Sequence, residues 1–193
     1  MGKGTAIRGA MTRDFIAALE QVQAGLKDSV LRQLDPDLRG EVESVVGIGW
    51  LPFEKHSAVN EAARKVAGDR AFQEVWRRTM LRTFQQPLLK PIVDGGVRVF
   101  GLSPRTFARL TPTAWGLISR DAGDLLFEAQ SGEQSARLSL RNFPLALATS
   151  GTFFLGMVGV FEAFFEATGT HGQVVLAQQV PAEGRAVYEL SWQ

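Results

Sequence analysis

Residues 135–165 read SARLSLRNFPLALATSGTFFLGMVGVFEAFF, and within them the hydrophobic period changes from two to a nearly continuous apolar run. Ala136, Leu138 and Leu140 alternate with Arg137, Ser139 and Arg141, the pattern of a half-buried antiparallel strand. Phe143-Pro144 ends the strand, and Leu145 to about Thr168 predicts one long helix. Gly123 to Gln130 precedes it as a partner strand across a turn at Gly132. Beyond the helix, Gln173 to Val180 and Arg185 to Trp192 flank Pro181-Ala-Glu-Gly184 as a second hairpin. Two hairpins around one apolar helix make a ββαββ unit, which buries its helix by laying it across the sheet.

Upstream, the period is helical. Thr12 caps a predicted helix with Phe15, Leu19, Val22, Leu26 and Val30 on one face, ending at Leu34. Further helices are predicted from Pro36 to about Val46, from Pro52 to about Ala67, and from a cap at Asp69 through Phe84. Another lies around Ile92, Val93, Val97 and Phe100. Ser103-Pro104 opens the last, which Pro112 is expected to kink or end. The fold class is therefore α+β: one domain of 193 residues, with a helical subdomain over about 1–120 and an α/β subdomain over about 121–193.

Composition narrows the function. With no cysteine, disulfides, thiolate metal sites and cysteine nucleophiles are excluded. A net charge of +1 leaves no overall cationic excess, so no nucleic-acid partner is expected. The start of the chain lacks the apolar run of a signal peptide, which points to the cytoplasm. Glu162 and the glycines at 151, 156 and 159 interrupt the long apolar run, so a buried helix is expected rather than a membrane span.

No Gly-x-Ser-x-Gly and no dinucleotide fingerprint occurs, and Glu162 with Glu166 reads as a solvated helix edge. No catalytic constellation is left, and an enzyme is not expected. Of the two histidines, His171 sits between helix and strand, whereas His56 shares helical spacing with Val59, Ala63 and Val66. His56 therefore points inward. Aromatic residues crowd the C-terminal half, and Trp115, Phe127, Phe153, Phe154 and Phe161 are candidates, with His56, to line a pocket for an apolar small molecule. Arg77, Arg78 and Arg82 are the basic concentration that could meet an anion or a protein partner.

Several short pieces carry a resemblance: Ile7-Arg8-Gly9, Gly49-Trp50-Leu51-Pro52, Gly123-Asp124-Leu125, Asn142-Phe143-Pro144 and Ala186-Val-Tyr188-Glu-Leu-Ser-Trp192. With the helical-then-ββαββ layout, the chain resembles a family of roughly 200-residue myxobacterial proteins, a likeness that implies a fold and no particular activity. More distantly the layout is similar to heme-based nitric-oxide sensors, 4-vinyl reductase domains and the small subunits of the TRAPP tethering complex. Heme sensors of that fold carry their ligand histidine further along the chain, beside a Tyr-x-Ser-x-Arg run. No such run occurs here, so no cofactor is expected. The layout implies a regulatory or sensory module that holds its ligand between helices and sheet; the TRAPP likeness implies instead a module that pairs with itself or another protein.

Overall fold

The structure, a computed structural model, describes residues 4–129 and 134–193; the turn expected at Gly132 lies outside them. A short strand, β1 (Ala6–Arg8), leads straight into α1 (Gly9–Val22). The single helix expected to Leu34 is in fact two. Gly25 adopts φ +75°, its N–H is taken by the Glu20 carboxylate at 3.0 Å, and α2 (Leu26–Leu31) restarts beyond it. α3 (Pro36–Ser44) follows, with the Asp35 side chain accepting from the Asp37 N–H at 2.9 Å.

Pro52 closes β2 (Trp50–Pro52) rather than opening the next helix, α4 (Phe53–Ala67). Gly68, not Asp69, precedes α5 (Asp69–Phe84); Asp69 lies inside the first turn, where Arg64 Nε donates to it at 2.8 Å. α6 (Lys90–Phe100) then leads to α7 (Pro104–Ile118), which the Ser103 hydroxyl caps at 3.2 Å from the Thr106 N–H. Helix α7 continues through Pro112 rather than ending there. With β3 (Ser119–Arg120), the first two strands form a small sheet in the order β2-β1-β3, in which Ile7 pairs with both Leu51 and Ser119.

The main sheet has the two expected hairpins. Strands β4 (Asp124–Ala129), β5 (Ser135–Arg141), β6 (Gly172–Val180) and β7 (Arg185–Trp192) run antiparallel in the order β4-β5-β7-β6. Leu138 stands opposite Tyr188 and Val174 opposite Leu190, so alternate residues of the inner strands form one buried face.

The long helix is also broken. α8 (Leu145–Ala148) stops short of Ser150, whose hydroxyl accepts from the Phe153 N–H at 3.1 Å and starts α9 (Gly151–Thr168). One side of α9 meets the sheet: the rings of Phe161 and Tyr188 meet edge to face at 5.0 Å, and Phe165 packs by Trp192. Its other side lies on α5, and there the glycines act. A β-carbon on Gly159 would fall 2.3 Å from the Gln73 carbonyl oxygen, and one on Gly156 would fall 2.7 Å from Nε1 of Trp76. The glycines thus admit α5, not the sheet. Gly151 closes no approach, its nearest neighbour being the end of Arg64. By length and composition α9 could cross a membrane, yet half of it is buried within the fold.

Candidate ligand cavity

Helices α4, α5, α6, α7 and α9 surround an apolar cavity of about 70 Å³. Four of the six pocket candidates, His56, Trp115, Phe153 and Phe161, stand in its wall. Phe154 and Phe127 do not. Phe154 is buried beside Phe143, with its carbonyl oxygen accepting from the Tyr188 hydroxyl at 3.4 Å. Phe127 is half-buried on β4, with the Arg109 guanidinium 5.8 Å from its ring.

The walls follow from helix faces that the sequence shows only as apolar stripes. α5 contributes Trp76, Met80 and Phe84, α7 contributes Phe107 and Trp115, and α9 contributes Phe153, Met157 and Phe161. Trp115 is fixed because its indole N–H donates to the Gly123 carbonyl at 3.0 Å. The fourth side is α6, which turns Ile92 and Val93 inward while most of its remaining surface faces solvent. Gly96 lets it lie close to α7, since a β-carbon there would meet Leu110 Cδ1 at 2.5 Å.

Polar groups enter mainly from α4. His56 is 2% exposed, and its Nδ1 lies 2.9 Å from the Thr12 hydroxyl of α1. Edge-to-face contacts with Phe15 and Trp76 enclose the ring. Burial drives its pKa from 6.5 down to about 4, so the imidazole is neutral at pH 7. One turn later, the Asn60 amide donates to the His56 carbonyl at 2.7 Å and accepts the Trp76 indole N–H at 2.8 Å. An indole nitrogen only donates, so this contact fixes which way the amide points. Ser57 and Thr111 complete the polar lining.

Sequence periodicity did not single out Asn60, Met80, Phe107 or Met157. The apolar three belong to stripes indistinguishable from core. Asn60 had a usable signal: a second polar residue at i+4 from His56 on an otherwise apolar face.

The arginine cluster lies elsewhere, along α5. Arg77 is ion-paired with Glu74 and Glu166, Arg78 with Glu74 at 2.7 Å, and Arg82 stands 3.8 Å from Asp14. Burial pushes the Glu74 carboxyl up, but hydrogen bonds from Arg77 and Arg78 outweigh it and leave the pKa below its usual value. Asp14 is a buried carboxylate of α1 that the sequence did not flag. Its pKa is raised by burial against the opposing Thr83 hydroxyl, which donates to it at 3.0 Å. His171 is exposed between α9 and β6. Among the described residues no cluster of three or more His, Asp or Glu could hold a metal ion.

The chain has the fold of H-NOX domains, as its likeness to their solved structures shows. A structure described as giving insight into the mechanism of H-NOX activation superposes with TM-score 0.68 at 11% identity, covering 97% of both chains. An oxygen-binding H-NOX domain related to soluble guanylate cyclases, solved as its oxygen complex, gives TM-score 0.66 at 11% identity over 97% of this chain and 95% of that one. The Fe(II) unliganded H-NOX protein from K. algicida gives 0.64, at 11% identity and 97% of both chains. No protein-family model and no curated protein sequence matches the chain.

Proposed function

We propose that this chain is a non-enzymatic, soluble sensory module that holds a small, neutral, apolar molecule in the cavity between α4, α5, α6, α7 and α9, and does so without heme. The observation that carries this is the cavity itself: an apolar void lined by aromatic, aliphatic and methionine side chains, with a few polar groups on its wall. The position of the void in a fold shared with oxygen-binding domains supports a sensory role. The thin wall formed by α6 supports a way for occupancy to be felt at the surface.

Heme features in descriptions of the solved H-NOX structures, and the residues here do not fit it. A void of about 70 Å³ is less than half the ~150 Å³ that takes a single benzene ring, and a porphyrin joins four pyrroles. No Lys or Arg lines the cavity to meet two propionates. Its one imidazole is tied to Thr12 and comes from α4. The one tyrosine, Tyr188, opens no Tyr-x-Ser-x-Arg run.

Native mass spectrometry of protein purified without detergent, followed by solvent extraction, tests the proposal. A bound apolar species at one per chain is expected, and Ala114→Phe, which fills the void from α7, should expel it. Protein that is ligand-free from every host, with a dry and unresponsive cavity, contradicts it.

A second reading, pairing with another copy of this chain, is favoured by Val99, Phe100 and Leu102, which are 71%, 49% and 60% exposed around the end of α6. Light scattering on the eluted protein tests it: a strict monomer at high concentration contradicts pairing.

A further inference from the structure

The turn between α6 and α7 is flanked by unpaired positive charge. From Gly95 to Arg120 the chain carries four arginines and no Asp or Glu, in a protein whose charges otherwise nearly cancel. Elsewhere Arg64 is held by Asp69, Arg78 by Glu74 and Arg141 by Glu128. Arg98, in the last turn of α6, and Arg109, in the second turn of α7, are exposed and have neither a carboxylate nor a hydrogen-bond partner among the described residues. Asp94, one turn before Arg98, is taken by Lys90 at 2.8 Å. The Arg109 guanidinium lies 4.5 Å from the centre of the Phe100 ring, which ties it to the turn.

The turn itself is apolar and ordered. Val99, Phe100 and Leu102 are exposed where the two helices meet. Gly101 adopts φ +80°, its N–H donates to the Val97 carbonyl at 2.9 Å, and its own carbonyl accepts from the Thr106 hydroxyl at 2.8 Å. None of these bonds needs an apolar side chain at 99, 100 or 102. Gly96 of α6 faces Leu110 of α7, so the helices run back from the turn side by side. At 1.5 Å per residue, Arg98 and Arg109 stand roughly 3 and 8 Å behind the helix ends that flank it. The order along this hairpin is therefore an apolar apex with guanidiniums behind it.

We infer that the turn docks the protein reversibly on an anionic bilayer surface, with Val99, Phe100 and Leu102 entering the boundary between headgroups and acyl chains and Arg98 and Arg109 meeting lipid phosphates. Apolar insertion to a depth of ~5 to 10 Å, with cations at headgroup level, is how interfacial segments hold anionic lipid, and the spacing here matches it. The apolar residues project from a helix end instead of lining a groove. A second copy of this chain would draw on the same residues, but pairing through the turn brings the arginines of both copies together. The inference does not depend on the cavity holding a ligand.

Sedimentation of the full chain with vesicles tests it, using phosphatidylcholine alone and equal parts of phosphatidylcholine and phosphatidylglycerol. The chain should sediment with the mixed vesicles at low salt, bind phosphatidylcholine alone several-fold more weakly, and come off as salt rises. Leu102→Asp should lower the partition coefficient about tenfold or more, the loss of one buried leucine side chain. Arg98→Gln should lower it about fivefold, the share of one arginine near such a surface. Both positions are exposed, so both variants should melt as the wild type does. Ile48→Asp, at an apolar residue 84% exposed on the turn before β2, is the control and should bind as the wild type does. Equal binding to both kinds of vesicle, or a loss in Ile48→Asp as large as in Leu102→Asp, overturns the inference. So does a dimer in light scattering that Leu102→Asp dissociates, which gives the turn to a second copy. A chain that ignores the mixed vesicles at low salt overturns it too, and leaves the turn to a protein partner.

Discussion

Gly159 of α9 and Gln73 of α5 approach so closely that a β-carbon on the glycine would lie 2.3 Å from the Gln73 carbonyl oxygen. Backbone is facing backbone, and neither side has a flexible end to yield. The seam between the helical half and the helix that covers the sheet is thus made by an absent side chain.

Gly159→Ala should therefore destabilise the protein by about 1 to 3 kcal/mol, although alanine is the better helix former by about 1 kcal/mol. Gly156→Leu should do the same by pushing on Trp76. Gly95→Ala in α6, where nothing lies within 4 Å, is the control and should stabilise by up to about 1 kcal/mol. Urea titrations of the three variants check this; a stabilised Gly159→Ala would show that the seam is looser than described.

Strand β7 lies between β5 and β6, and Tyr188 and Leu190 are fully buried there, with Trp192 nearly so. Removing Tyr188 to Gln193 deletes all three, at about 3 to 5 kcal/mol for each large aromatic, against a typical total stability of only about 5 to 15 kcal/mol. The truncated chain should not fold at 25 °C by circular dichroism. A melting temperature like that of the full chain would contradict the assignment of these residues to the core.

Acid should weaken the fold through His56. Its pKa is about 4 in the fold against 6.5 when unfolded, so between those values the unfolded chain binds the extra proton. Stability then falls as pH drops from 6.5 toward 4, by about 3 kcal/mol in total from this group. Asp14, raised by burial, works in the opposite direction, so the comparison must be with His56→Phe. The wild type should lose stability relative to that variant over this window; parallel pH profiles would show that His56 is not buried in neutral form.

Added hemin should give no stoichiometric Soret-absorbing complex. A one-to-one complex whose spectrum disappears in His56→Ala would contradict the misfit of heme to this cavity.

The second half of the fold was largely legible because its strands are long enough to show a period of two: Ala136, Leu138 and Leu140 announce β5 by themselves. Strands of two or three residues, β1, β2 and β3, have no period to read and emerge only when Ile7 meets Leu51 and Ser119. The break at Ser150 was hidden inside an unbroken apolar run. The cavity was partly legible for a similar reason. His56 stood out as a polar residue on an apolar face, and Trp115, Phe153 and Phe161 followed from aromatic crowding. Met80 and Phe107 obey the same spacing as any core residue, and only the assembled helices show that their stripes leave a gap. Phe154, one residue from Phe153, points to Phe143 instead, a difference of one helix step that composition does not resolve.

The central claim is that an apolar site exists between α4, α5, α6, α7 and α9, and xenon tests it most directly. Crystals of the wild-type protein held under xenon should show one ordered atom in the cavity among Trp76, Phe107, Met157 and Phe161, absent in Ala114→Phe. Xenon that finds no site there, or binds the filled variant equally well, would contradict the account.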